Sequence, residues 1–254
     1  MSFPVYLNLL GHKLHPHVVF ESLAYTIGFL TFRLLKKRLT DPVPQGIRWS
    51  IIAAAAAGAV IGSKILYWLE DPAILLAHPD AQTLLGGKSI VGGLIGGLAA
   101  VEWVKRQLHF TGRTGDLFAV PLCIGIAVGR IGCFLTGLSD KTCGSATSLP
   151  WGVDFGDGIR RHPAQLYEIG FLLLLAAALL YLMHRPHVQG DIFKVFMVGY
   201  GTWRLLIDFL KPDPAFWGLR SIQWACLVLL LYYSRDLKRW LMPTGPAAST
   251  ANAP

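Results

Sequence analysis

Apolar runs set the pattern of this chain. They cover Val18 to Leu35, Trp49 to Leu69, Ser89 to Val104, Leu117 to Leu135, Gln165 to Met183, Ile192 to Leu210 and Ser221 to Ser234. Runs of roughly 17 to 25 residues suffice to cross a bilayer as helices. The pattern therefore predicts an all-α fold, a polytopic membrane helix bundle with about seven transmembrane helices. The last run is short and extends into Leu219 or Leu237. The segment before Pro16 reads as an interfacial helix that holds Tyr6, Leu9 and Leu10 at the headgroups. Residues 71–87, with Ile74 and Leu75, read as a loop lying on the membrane, and 138–161 as the longest outer loop. Residues 1–242 form one integral membrane domain in this reading, and 243–254 a flexible C-terminal tail.

Composition sharpens the class. Of 254 residues 53% are hydrophobic and 15% charged, and the mean hydropathy is +0.48, far more apolar than a soluble domain. The net charge of +8 does not mark a nucleic-acid partner, because the basic residues sit at the ends of the apolar runs and not in one patch. Arg33, Lys36, Lys37, Arg38 and Arg48 follow the first run. Lys105, Arg106 and Arg113 follow the third, Arg185 the fifth, and Arg235, Lys238 and Arg239 the seventh. The positive-inside rule makes these loops cytoplasmic, with the N-terminus outside and the C-terminus inside. The first run is not an obvious cleavable signal peptide, since its basic cluster follows it. No cofactor motif and no metal-ligand spacing is present, and His12, His15 and His17 read as an interfacial cluster. Cys123 and Cys226 read as packed thiols. Cys133 and Cys143, ten apart at the outer face, are either a disulfide or two free thiols.

The candidate chemistry lies in the polar residues inside the runs. A charged side chain in hydrocarbon costs several kcal/mol unless it is paired or faces water, which makes it a functional hypothesis by default. Arg130 falls about 20 Å along the fourth helix at roughly 1.5 Å per residue. Gln165 and Glu168 are three apart, Glu21 and Tyr25 four apart, and Tyr200, Arg204 and Asp208 follow at i, i+4 and i+8, so each set shares a helix face. Glu21 and Tyr25 would then aim into the bundle, although Tyr25 also reads as an interfacial anchor. Arg204 and Asp208 also read as a self-neutralising pair. Glu21, Tyr25, Arg130, Glu168, Arg204 and Asp208 nevertheless share the outer half of helices that run in opposite directions. That common level predicts one polar cavity opening to the outer leaflet, in which arginine forks grip a phospholipid phosphate. Gly92 and Gly96, like Gly93 and Gly97, have the GxxxG spacing of close helix packing. Lys64 either snorkels or binds a headgroup, Asp116 reads as the N-cap of the fourth helix, and Cys133 as a packing residue or a nucleophile.

Several of these residues resemble the prolipoprotein diacylglyceryl transferases of bacterial inner membranes. The resemblance covers nearly the whole chain: Ala24-Tyr25 and Gly28, Gly92 to Gly96, Gly129-Arg130-Ile131-Gly132 and Gly137, Arg161 to Glu168, and Tyr200-Gly201 with Arg204. It implies a seven-helix enzyme of the cytoplasmic membrane that moves diacylglycerol from phosphatidylglycerol to the cysteine thiol of a lipoprotein precursor's signal peptide. Its partners would be that phospholipid, or a similar anionic one, and the precursor. Arg130 and Arg204 match the family's phosphate-handling arginines, and Tyr25 its functional tyrosine. Tyr25, His162, Glu168 and Asp208 are the catalytic candidates; Arg130, Arg204, Gly92, Gly93, Gly137, Gln165 and Tyr200 are the substrate-binding ones. The chain departs from the family pattern at Val91, where a histidine is usual, and at Cys133, Thr136, Leu138 and Asp208. These departures leave two readings: a divergent active transferase, or a phospholipid-binding paralogue with other chemistry or an accessory role.

Overall fold

A computed structural model describes residues 3–9, 11–39, 43–77, 80, 83–84, 86–211 and 217–241. The expected tail lies outside them. Each of the seven apolar runs is helical: α1 (Pro16–Arg38), α2 (Gln45–Glu70), α4 (Ile90–Gln107), α5 (Asp116–Thr136), α6 (Ala164–Met183), α7 (Asp191–Ile207) and α8 (Ser221–Tyr232). A short α3 (Pro72–Ala77) follows α2, and α9 (Ser234–Leu241) follows α8. The helices α1, α2, α5 (with its 3-10 extension) and α6 are each long and apolar enough to cross a membrane. The chain is thus a helical, multi-pass membrane protein.

The N-terminal segment is not the interfacial helix that its apolar spacing suggested. Leu7–Leu9 (β1) and His12–Leu14 (β2) form an antiparallel hairpin, turned by Gly11 at φ +82°, a conformation glycine adopts without a Cβ penalty. Val5 N–H then donates to Leu135 O at 2.9 Å, tying the hairpin to the end of α5. Pro16 at the first position of α1 suits a helix start, where its missing N–H costs nothing.

Small residues decide which helices meet. A Cβ on Gly62 would collide with Gly92 O, and one on Gly58 with Gly96 O, so α2 and α4 touch backbone to backbone, as the GxxxG spacing requires. Helix α1 lies on α5 with Gly28 against Pro121 O and Phe32 stacked on Phe118 at 4.6 Å. Helices α5, α6, α7 and α8 enclose the apolar core of Val120, Cys123, Leu172, Phe196, Met197 and Cys226.

Asp116 does not cap its own helix. Its carboxylate accepts from Gly190 N at 2.6 Å and Phe193 N at 2.9 Å, closing the start of α7, whose cap residue Gly190 stands at φ +94° with no side chain to offer. Lys64 donates to Gly86 O and Gly87 O, both at 2.9 Å, so its ammonium holds the loop before α4.

Candidate functional site

Residues Tyr200 and Arg204 share one face of α7, and the 3-10 turn at Asp208–Leu210 carries that stripe one turn further. Glu168 opposes it from the second turn of α6, and Arg130 from the last turns of α5. The four helix positions lie within about two turns of one end of the bundle, because α5 and α7 run towards it and α6 away from it. Arg130 Nε stands 2.9 Å from Glu168 Oε2 and Arg204 Nη1 3.2 Å from the same oxygen. Tyr200 donates to Glu168 Oε1 at 2.7 Å. Arg204 Nη2 reaches Asp208 Oδ1 at 2.8 Å, Lys211 Nζ the same oxygen at 3.3 Å, and Arg220 Nη1 lies 3.9 Å from Oδ2.

Glu168 and Asp208 thus face Arg130, Arg204, Lys211 and Arg220 within salt-bridge reach, and Glu70 lies in the field of Lys211, Arg220 and Arg204. Burial pushes the Lys211 ammonium down to about 8 from 10.5, the Arg204 guanidinium adding to the shift. Breaking one partner out of such a network leaves an uncompensated charge, at about 3–5 kcal/mol. Arg204 Nε and Gln165 Oε1 are buried and meet no hydrogen-bond partner among the described residues. Gln165 Nε2 donates to Thr142 Oγ1 at 3.0 Å and to Cys143 Sγ at 3.4 Å.

The structure thus brings Arg130, Gln165, Glu168, Tyr200, Arg204 and Asp208 to one buried end of α5–α7. It corrects the expected open cavity: Arg130 is 7% and Arg204 3% exposed, because Glu168 and Asp208 close over the guanidinium groups. A cavity of about 310 Å³ lies elsewhere, lined by Phe32, Arg48, Ile52, Arg113, Phe118 and His187. Tyr25 and Glu21 do not aim into the bundle either. Tyr25 is 70% exposed and donates to Glu21 at 3.2 Å, while Glu21 pairs with Lys88 and with His17 at 3.8 Å. Their i, i+4 spacing gives Glu21 and Tyr25 a shared face, but α1 meets α5 along the adjoining stripe of His17, Phe20, Ala24 and Gly28, which leaves Tyr25 turned outward.

His162 also stands apart, its Nδ1 3.2 Å from Tyr167 Oη, which accepts from Trp151 Nε1 at 2.8 Å. Gly92 and Gly93 pack on α2, against Gly62 and Ala59, and do not line the charged cluster. Gly137, at φ +75°, ends α5 with Phe3 over its Cα. Cys133 and Cys143 are free thiols: Arg130 Nη1 is 3.9 Å from Cys133 Sγ, and Gln165 engages Cys143. Lys211 was missed in the sequence although it continues the Tyr200, Arg204, Asp208 stripe by three residues. Arg220 lies further along the chain, and no spacing announces it.

The prolipoprotein diacylglyceryl transferase family model matches residues 4–234. A phosphatidylglycerol–prolipoprotein diacylglyceryl transferase of Polynucleobacter necessarius is 33% identical over 230 residues, 83% of this chain and 86% of the relative. That of Bordetella parapertussis is 33% identical over 229 residues, 82% and 86% of the two chains. The Methylobacillus flagellatus protein of the same name is 31% identical over 261 residues, 90% and 92%.

Proposed function

Because the chain belongs to the prolipoprotein diacylglyceryl transferase family, we propose that it moves diacylglycerol from phosphatidylglycerol to the signal-peptide cysteine of a lipoprotein precursor in a bacterial inner membrane. The observation that carries this reading is the convergence of Arg130 and Arg204 on one oxygen of the buried Glu168. A phosphodiester presents the same pair of acceptor oxygens as a carboxylate, and planar guanidinium forks bind either in a bidentate way. The headgroup exchanges with Glu168, and its oxygens satisfy the free Arg204 Nε. Tyr200, released by Glu168, supplies a further donor, and the unpartnered Oε1 of Gln165 an acceptor for a headgroup hydroxyl.

In the reaction the precursor thiolate attacks the terminal carbon of the diacylglyceryl unit. The new bond is carbon–sulfur, the broken one carbon–oxygen, and glycerol phosphate leaves with the electron pair. The guanidinium groups bind the charge that grows on the leaving phosphate, a term stronger in the transition state than in the ground state. Glu168, once displaced from its arginines, takes the thiol proton, with Asp208 holding Arg204 in place. Tyr25 and His162, at the edge of the bundle, are the remaining candidates for proton transfer. Gly92, Gly93 and Gly137 serve the site by setting helix positions. Residues 1–242 act as one domain that crosses the membrane seven times.

A second reading rests on the closure of the network. Glu168 and Asp208 already compensate the arginines, which suits a paralogue that binds anionic phospholipid without turnover. Expression in a strain depleted of its own transferase, with mass analysis of a reporter lipoprotein, separates the two. Transfer adds a thioether-linked diacylglyceryl group to the reporter cysteine, and Arg130→Ala and Arg204→Ala abolish it while the protein stays inserted. An unmodified reporter beside well-inserted wild-type protein leaves only the binding role.

A further inference from the structure

One side-chain cluster lies outside the proposed phosphate site and is not needed for it. His17 opens α1, Cys133 sits in the last turn of α5, and Asp140 ends the 3-10 turn Gly137–Asp140. Each offers one donor atom, and the three donor atoms lie within 4.8 Å of one another. His17 Nδ1 is 3.0 Å from Asp140 Oδ1. In a tetrahedral site with bonds of about 2.0–2.3 Å, neighbouring ligand atoms stand about 3.2–3.7 Å apart. Separations of up to 4.8 Å reach that spacing on shortening by about an ångström.

The surroundings hold the three groups in that posture. Thr142 Oγ1 donates to Asp140 Oδ2 at 2.6 Å, which leaves Oδ1 turned to His17. Glu21 Oε2 stands 3.8 Å from His17 Nε2, the other ring nitrogen; a carboxylate behind a ligating imidazole orients the ring and raises its basicity. Arg130 Nη1 stands 3.9 Å from Cys133 Sγ and fixes where the sulfur points. Cys133 is buried, whereas the His17 side chain is 37% exposed, so the cluster has a dry floor and an open side. The reversal at Gly137, φ +75°, carries the chain back over the end of α5 and sets Asp140 beside Cys133.

We propose that His17, Cys133 and Asp140 form a binding site for a zinc-class transition metal ion. One nitrogen, one sulfur and one oxygen ligand suit Zn²⁺ or Co²⁺, and the thiolate discriminates against Mg²⁺ and Ca²⁺, which take oxygen ligands. Three protein ligands leave the fourth position to water or an incoming group, on the open side next to His17. The site stands whether or not the phospholipid reading does.

The test uses full-length protein in lipid nanodiscs, stripped with a chelator and titrated with Co²⁺. One equivalent binds and gives a thiolate-to-cobalt charge-transfer band, which Zn²⁺ abolishes by displacement. Cys133→Ser loses the band, and His17→Gln and Asp140→Asn weaken binding at least about tenfold; Cys143→Ser leaves it intact. In the wild type, where no variant can misfold, Zn²⁺ protects Cys133 but not Cys143 from alkylation. Absence of saturable one-to-one binding, or equal alkylation of Cys133 with and without Zn²⁺, overturns the proposal and leaves a metal-free hydrogen-bonded triad.

Discussion

Glu168 serves two arginines with one oxygen, so its charge is the hinge of the buried network. Glu168→Gln leaves Arg130 without its carboxylate and Arg204 with Asp208 alone, and we expect a loss of roughly 3–5 kcal/mol in the thermal unfolding of nanodisc-embedded protein, together with loss of reporter lipidation. Arg130→Lys keeps the charge but not the fork, so it folds like wild type yet falls at least about tenfold in lipidation, since a point charge does not reproduce bidentate contacts. Lys211 supplies a pH signature. Its native pKa of about 8 lies below the ordinary 10.5, so between those values the unfolded chain binds more protons than the native one. Stability therefore rises with pH through that window, by up to about 1.4 kcal/mol per pH unit, and is flat below it. The rise between pH 8 and 10 should vanish in Lys211→Met; a wild-type melting temperature that falls across that window would refute the assignment. Much of this network was legible in the sequence, because ionisable residues inside apolar runs are costly enough to need a partner, and helical spacing named the face. What spacing cannot convey is contact across loops. Arg220 meets Asp208 across the connection from α7 to α8, and His17 meets Cys133 and Asp140 because α1 lies on α5 and the chain reverses at Gly137, none of which a period announces.

At the scale of elements, the apolar runs placed the helices to within a few residues, since burial of backbone polar groups in hydrocarbon leaves helix as the economical solution for a single segment. The runs did not reveal which face of each helix turns inward, and there the glycines decide. The α2–α4 contact has no room for a side chain: a Cβ on Gly62 collides with Gly92 O, whereas one on Gly28, in the α1–α5 contact, would meet Pro121 O at 3.5 Å, an ordinary van der Waals distance. Gly62→Leu should thus push α2 from α4 and destabilise the protein by about 1–3 kcal/mol, and Gly28→Ala should be close to neutral. Comparable melting temperatures for the two variants would show that the α2–α4 contact does not need its glycines. The N-terminal hairpin was misread as a helix because Tyr6, Leu9 and Leu10 fit an apolar helical stripe, while Gly11 in a left-handed turn makes the strands reverse. Asp116 was misassigned for a related reason: a carboxylate at a helix start caps whichever free N–H groups are nearest, and here these are Gly190 and Phe193 of α7.

For the molecule as a whole, the two ends differ in kind. The α1–α2, α4–α5 and α6–α7 connections gather around one cavity, through Leu39, Val43, Arg113, Thr114, His187 and Gln189. The basic clusters Lys36 to Arg38 and Lys105 to Arg106 end the helices that lead there, and Arg239 and Lys194 tie α9 to the same end through Asp191 and Asp236. The opposite end carries the N-terminal hairpin, the strands Val153–Asp154 and Arg160–Arg161, and the bond from Ser145 N to Leu210 O that joins the long loop to the end of α7. We propose that these basic connections are cytoplasmic; the arginine network and the His17 cluster then face the other side, where the proposed reaction needs the precursor's cysteine. This orientation predicts that alkaline phosphatase fused after Gly158 is active, that fusions after Arg113 and His187 are inactive, and that a fluorescent protein after Leu241 folds and fluoresces. Phosphatase activity at His187 with none at Gly158 would invert the bundle. It would also place Arg130 and Arg204 at the cytoplasmic leaflet, out of reach of a translocated thiol, and the transferase reading would fail on topology even with its site intact.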